Sequence, residues 1–154
     1  SLQLFIDHDP EYHYFNFTEE DRQRLRPVVM FDLLLNNADR KGSHILLDPE
    51  RHLWLIDHGL CFHVEEKLRT VIWDFVDEPF PTDLMEDVSR FEQDLKLLQT
   101  ESSERNPGEN LHLLRSYLSE VELEMLAQRS QDILTSGRFP APDPARRQFP
   151  WPQL

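Results

Sequence analysis

Residues 36–63 read Asn36-Asn-Ala-Asp-Arg-Lys-Gly-Ser-His-Ile-Leu-Leu-Asp-Pro-Glu-Arg-His-Leu-Trp-Leu-Ile-Asp-His-Gly-Leu-Cys-Phe-His63, and the fold turns on them. Two short apolar runs, His44–Leu47 and Leu53–Ile56, flank Asp48-Pro-Glu-Arg51, a turn signal, so together they read as a β-hairpin. A polar loop (36–44) enters the first strand and Asp57-His-Gly59 leaves the second. A hairpin brings its open ends together, so Asp39, His44 and Asp57 are expected at one edge, the two carboxylates within several ångströms of each other. Two carboxylates and one nitrogen around a gap suit a divalent cation. On the plainer alternative, the aspartates cap turns and pair with Arg40 and Lys41.

Working outward, Thr18 with Asp21 three residues on resembles a capping box, with Glu19 and Glu20 in the first turn. Pro27 interrupts the apolar run that follows, so a helix restarts or kinks there, and the better-defined helix is expected over about 27–36, apolar nearly all round and therefore buried. Upstream, Leu2–Ile6 ends at the turn Asp7–Pro10, and Tyr12, Tyr14, Phe15 and Phe17 form an aromatic patch read as a second extended piece. Downstream, Thr82 is expected to cap a helix to about Gln99. A polar loop is expected from Thr100 to Asn110 and a short helix from Leu111 to Leu118. Ser119 with Glu122 forms a capping box for a helix to about Ser136, stopped by Gly137. The reading divides the chain into a body (1–138) and a Pro-rich tail (139–154) with five prolines in sixteen residues. The tail is expected to dock through Phe139, Phe149 and Trp151 or to stay mobile.

A chain of 154 residues has room for one modest core. Its net charge of -13 argues against nonspecific nucleic-acid binding and against a polybasic membrane anchor. Thirteen acids against four bases between 77 and 124 place most of that charge in the helical part. Cys61, the single cysteine, excludes an internal disulfide framework and fits a reducing cytoplasm. No apolar run is long enough for a transmembrane helix, and no signal-peptide pattern opens the sequence.

Asn37–Leu47 followed by Leu55–Phe62 resembles the catalytic core of phosphatidylinositol 3-/4-kinases, with type II phosphatidylinositol 4-kinases and uncharacterised bacterial relatives as the nearest look-alikes. The resemblance covers roughly residues 25–75. It implies an α+β fold: the mostly helical C-terminal lobe of a protein-kinase-like fold, with one small β-hairpin carrying the site. In that superfamily an Asp-Arg pair opens the catalytic loop, a metal-binding Asn follows five residues after the Asp, and an Asp-x-Gly triplet closes the hairpin. Asp39-Arg40 and Asp57-His58-Gly59 match, while His44 stands where the Asn belongs, a departure that favours Mn²⁺ or removes one Mg²⁺ position.

The resemblance implies ATP- and metal-dependent phosphoryl transfer to a hydroxyl acceptor, whether lipid, protein or small molecule. Asp39 would orient the acceptor hydroxyl or take its proton. Asp57, with His44, would hold the metal on ATP, and Arg40 and Lys41 would neutralise charge on the transferred group. The segment after Asp57 resembles an activation segment, where Lys67 and Arg69 are the candidate substrate contacts; the alternative is a solvated pairing with Glu65, Glu66 or Asp74. Arg40 has its own plainer reading, an ion pair with Asp39 or Asp48. Trp73 and Phe75 are read as anchors to the core, and Cys61 as a small buried hydrophobe.

The family's smaller lobe brings a Gly-rich loop and a strand lysine; this sequence has neither, so weak or absent activity is expected of it alone. Two other readings stay open. One is a non-catalytic, kinase-like binding or scaffold module. The other is a hydrolytic transition-metal site built from His44, Asp57, His58 and His63, which no H-x-x-x-H or H-E-x-x-H pattern supports.

Overall fold

The computed structural model describes residues 4–99 and 109–154. The elements run α1 (Glu19–Gln23), α2 (Arg26–Leu35), β1 (Ile45–Leu47), β2 (Leu53–Leu55), α3 (Thr82–Gln99), α4 (Glu109–Tyr117) and α5 (Glu120–Ser136). The architecture is therefore α+β, mostly helical, with a two-stranded antiparallel sheet in which Ile45 faces Leu55 and Leu47 faces Leu53. Residues 100–108 of the expected polar loop, and residues 1–3, which include the start of the N-terminal apolar stretch, lie outside the described residues.

Local chemistry explains most boundaries. Thr18 Oγ1 accepts from the Asp21 N–H and caps α1. Pro27 stands in the first turn of α2, where its missing N–H costs nothing, so the chain ends one helix and restarts another. Asn36 closes α2 in the left-handed conformation at φ 53°. Ser119 and Glu122 form the complete capping box of α5, and Gly137 ends that helix at φ 64°. The expected extended aromatic piece is instead a 3-10 turn, Tyr14–Asn16; Tyr14 is buried and its hydroxyl donates to Asp74 at 2.6 Å.

Helix α5 packs along α3 and also against α2. The main core gathers Leu25, Val28, Val29 and Met30 from the α2 region with Ile45, Ile72, Phe75, Val88, Ile133 and Phe139. A smaller cluster of Leu95, Leu98 and Leu126 seals α3 against α5. Asp21 is fully buried yet fixes the N-terminal segment to the hairpin turn, because it accepts from Tyr12 at 2.7 Å, Thr18 at 2.9 Å, Arg24 at 3.2 Å, and Arg51. Burial pulls its pKa up, but those hydrogen bonds outweigh it and hold the carboxyl at about 2.

The C-terminal segment forms no regular element and is held in a way its composition did not suggest. Phe139 is buried against Phe75 and Phe80. Beyond it, backbone carbonyls make the attachment: Gln148 accepts from the Thr70 N–H at 3.1 Å and Gln153 from the Gly42 N–H at 2.8 Å. Phe149 and Trp151, the aromatics expected to dock, are exposed at 39% and 79%.

Phe139→Ala is expected to cost about 3–5 kcal/mol in urea unfolding, whereas Trp151→Ala is expected to stay within about 0.5 kcal/mol. Asp21 generates an acid-sensitive contribution. Its folded pKa lies below the ordinary 3.8, so the stabilisation is complete above that value and is lost as pH falls through about 2. Thermal scans of Asp21→Asn from pH 5 to 2 are expected to start from a lower Tm and fall less steeply than those of the native chain.

Candidate catalytic and metal site

The polar loop is positioned by its own side chains. Asn36 donates to the carbonyls of His63 and Glu65 at 2.8 and 2.7 Å and accepts from the Lys67 N–H at 2.9 Å, pinning the loop's start to the segment after Asp57. Asn37, fully buried, donates to Asp32 Oδ1 at 2.9 Å and accepts from the Asp39 N–H at 3.0 Å, which sets the direction of the Asp39 backbone.

Arg40 is fully buried, and its partner is Asp32 of α2, not Asp39 or Asp48. Nε and Nη2 donate to the two Asp32 oxygens, each at 2.8 Å. Nη1 donates to the carbonyls of His44 at 3.3 Å and Ile56 at 3.1 Å, and Nη2 reaches His58 Nε2 at 3.1 Å. A guanidinium has five N–H groups, and these five acceptors occupy them. Arg40 thus clasps both open ends of the hairpin from inside. For His58 to accept at Nε2 its proton must sit on Nδ1, and burial followed by the Arg40 charge lowers its pKa in keeping with that neutral form.

Asp39, His44 and Asp57 converge: each offers a ligand atom, and these atoms lie within 4.8 Å of one another. His44 is buried while Asp57 is 58% exposed. Asp57 adopts the left-handed backbone at φ 55°, a conformation that aspartate tolerates better than most residues. His44 Nε2 and Asp57 Oδ2 stand 3.6 Å apart, too far for a hydrogen bond, and Lys41 Nζ lies 3.3 Å from Asp39. Burial lowers the His44 pKa; Asp57 pulls it back and Arg40 and Lys41 lower it further, so the imidazole is mostly neutral at pH 7. Its Nδ1 is buried and has no hydrogen-bond partner among the described residues. Two carboxylates and a neutral imidazole thus face one gap with no hydrogen bond among them, a donor set that fits a divalent cation.

Lys67 and Arg69 stand outside this cluster. Lys67 pairs with Glu65 at 3.5 Å and contacts His63 Nε2 at 2.8 Å. The Arg69 backbone bonds to Asn37 and Arg40, at 2.9 and 3.0 Å. Phe75 is buried in the core and Trp73 half-buried. Burial raises the Cys61 thiol to about 11, which keeps it protonated. His58 is drawn to Arg40 and His63 to Lys67, so neither joins His44 and Asp57 in the cluster that the hydrolytic reading requires. Sequence reasoning missed Asp32, Asn36 and Asn37 as the residues that hold the site. Asp32 could have been found, since a carboxylate in a helix apolar nearly all round must find a partner.

Comparison with known proteins supplies a family. The model of phosphatidylinositol 3- and 4-kinases matches residues 1–120. Protein Rv2133c of Mycobacterium tuberculosis is 36% identical over 132 residues, which cover 86% of this chain and 43% of that protein. The chain therefore spans less than half the length of the curated relative it matches. No solved structure matches it.

Removing Asp32 would leave the Arg40 guanidinium buried and unpaired. Asp32→Ala is expected to cost about 3–5 kcal/mol in chemical denaturation, more than Asp48→Ala, whose carboxylate lies at the exposed hairpin turn.

Proposed function

The chain belongs to the phosphatidylinositol 3- and 4-kinase family, and from that premise we propose that it carries the catalytic loop and metal-binding aspartate of a phosphotransferase that moves the terminal phosphoryl group of ATP to a hydroxyl. The observation that supports this best is the convergence of Asp39, His44 and Asp57 at the mouth of one hairpin.

Asp39 is assigned to the acceptor hydroxyl, which it orients and whose proton it takes as the phosphoryl group transfers. Asp57 and His44 would hold Mg²⁺ or Mn²⁺, which when bound offsets phosphate charge. Because His44 is mostly neutral at pH 7, its lone pair is available without displacing a proton. Of the two cations considered for the transferred group, Lys41 keeps that role. Arg40 becomes a positioning residue, since its five N–H groups are engaged inside the protein. Lys67 and Arg69 are assigned to the acceptor. Imidazole at the Asn position favours Mn²⁺ over Mg²⁺. The same substitution is what favours the second reading, a kinase-like binding module that does not transfer phosphate.

Metal titration followed by turnover separates these readings. With the chain described here, Mn²⁺ titrated in the presence of ATP is expected to bind at least about 10-fold more weakly to Asp57→Asn. His44→Asn is expected to shift preference toward Mg²⁺. Asp39→Asn is expected to keep metal-dependent ATP binding while, in a form that includes the smaller lobe, turnover falls about 10²–10⁴-fold. Metal-dependent ATP binding without turnover in that form would favour the binding module. Unchanged metal and ATP behaviour in all three variants would overturn the assignment.

A further inference from the structure

We propose that the C-terminal segment is a positioning strap for the metal cluster: through Gln148 and Gln153 it sets the loop that carries Asp39 and His44, and the cation affinity of the site depends on it. Arg40 and Thr70 form an isolated bridge in which Arg40 donates to the Arg69 carbonyl at 3.0 Å and accepts from the Val71 N–H at 3.1 Å. Successive residues of an extended chain face opposite sides, so the Thr70 N–H is left for another partner, the Gln148 carbonyl at 3.1 Å. Five residues further on, the Gln153 carbonyl accepts from the Gly42 N–H at 2.8 Å. The strap thus holds Gly42, which lies between Asp39 and His44, directly, and braces Arg40 through Thr70.

Gly42 is buried, and a buried N–H must find an acceptor; the strap supplies it. Without the Gln153 carbonyl that N–H has to turn toward water, and the 3-10 turn Gly42–His44 turns with it. The His44 ring then leaves Asp39 and Asp57, whose ligand atoms lie within 4.8 Å of its own. Arg40 opposes this only in part, since its contact to the His44 carbonyl, 3.3 Å, is the longest that its guanidinium makes. The strap is also the part of the molecule that can let go. Phe139 is buried in the core, but beyond it Phe149, Trp151 and Leu154 are exposed, and the attachment runs mainly through two carbonyls and the Arg146–Glu66 pair. Segments with few buried apolar contacts open before the core does. Residues 148 and 153 lie beyond the span that matches the kinase family, residues 1–120, so this hold on the loop comes from outside the matched region. Because the strap acts on the loop of the cluster, its role rests on the metal assignment proposed above.

The test titrates the 154-residue chain with Mn²⁺ alone. Gly42→Pro removes the N–H, and Lys41, at φ -92° and ψ 164°, already has the extended backbone that precedes proline. Gly42→Ala keeps the N–H. Both are made together with Phe15→Ala, which clears the ring atom 2.8 Å from the new Cβ. Calorimetry well below the unfolding midpoint is expected to show Mn²⁺ binding about 10-fold weaker in the proline variant than in the alanine variant. A strap that only stabilised the fold would change the melting temperature and leave that ratio at one. Equal affinities in the two variants, with the native chain binding Mn²⁺, would overturn the strap and leave the metal assignment standing. A native chain that binds no Mn²⁺ would overturn the metal assignment and the strap's role with it. A second measurement needs no variant. Coupling is reciprocal, so a cation that the strap helps to bind must in turn tighten the strap. Saturating Mn²⁺ is expected to slow hydrogen exchange at the Thr70 amide of the native chain by about the same 10-fold, read by mass spectrometry after an acid quench. Exchange that Mn²⁺ leaves unchanged would overturn the coupling even where the proline variant fails to fold.

Discussion

The geometry of the site depends on one buried ion pair. Arg40 and Asp32 are withdrawn from water together, and each alone would be costly to bury. What makes the arrangement more than a stabilising contact is where the remaining guanidinium protons go. They reach the carbonyls of His44 and Ile56, the residues at the two open ends of the hairpin, and the ring of His58. Helix α2 therefore reaches through Asp32 and Arg40 to set the separation of the strands just where His44 and Asp57 leave them. A hairpin with three paired residues on each strand has little rigidity of its own. Its precision is borrowed from the core beneath.

The same economy governs the residues around it. Asn36 and Asn37 spend their amides on backbone groups and on Asp32, so the loop that carries Asp39 is held at both ends without a regular element. At Gly42 a Cβ would stand 2.8 Å from the exposed Phe15 ring, so any side chain there requires that ring to shift, and the Gly42 N–H donates to the Gln153 carbonyl. The loop is thus gripped from α2, from the N-terminal aromatic turn and from the C-terminal segment. Asp39, His44 and Asp57 are left as the groups that face a common gap.

Much of this was legible because it is local. The hairpin, the Thr18 and Ser119 caps, the restart at Pro27 and the stop at Gly137 follow from chemistry within a few residues. Given the hairpin, so does the meeting of Asp39, His44 and Asp57. What was not legible is long-range. The carboxylate of Asp32 in an apolar helix signals that it needs a partner, but the pattern around Arg40 does not say that it is this arginine, eight residues on, rather than another cation. How the C-terminal segment attaches is hidden for a related reason: prolines forbid a ladder, but isolated carbonyls can still accept from Gly42 and Thr70, and a composition count does not see single hydrogen bonds. The aromatic turn at Tyr14 was read as extended because its determinant, Asp74, lies sixty positions away.

Charge placement gives the arrangement a direction. Half of the sixteen basic residues lie between positions 22 and 69, and another four between 129 and 147, while the stretch from 77 to 124 is dominated by acids. In the fold most of the first group is matched by nearby acids: Arg24 and Arg51 meet Asp21, Arg22 meets Asp74, Arg26 meets Glu78 and Lys41 lies beside Asp39. An anionic ligand approaching a chain of net charge -13 is repelled by most of its surface, with the screening length of physiological salt, about 8 Å, confining any attraction to close range. Local surpluses of cations therefore matter more here than in a neutral protein. Arg40, sealed against Asp32, contributes little to that field. Arg69 and Arg147 have no carboxylate partner among the described residues. The protein thus commits one arginine, sealed on Asp32, to holding the site, and leaves local charge there to the cations nearer the surface.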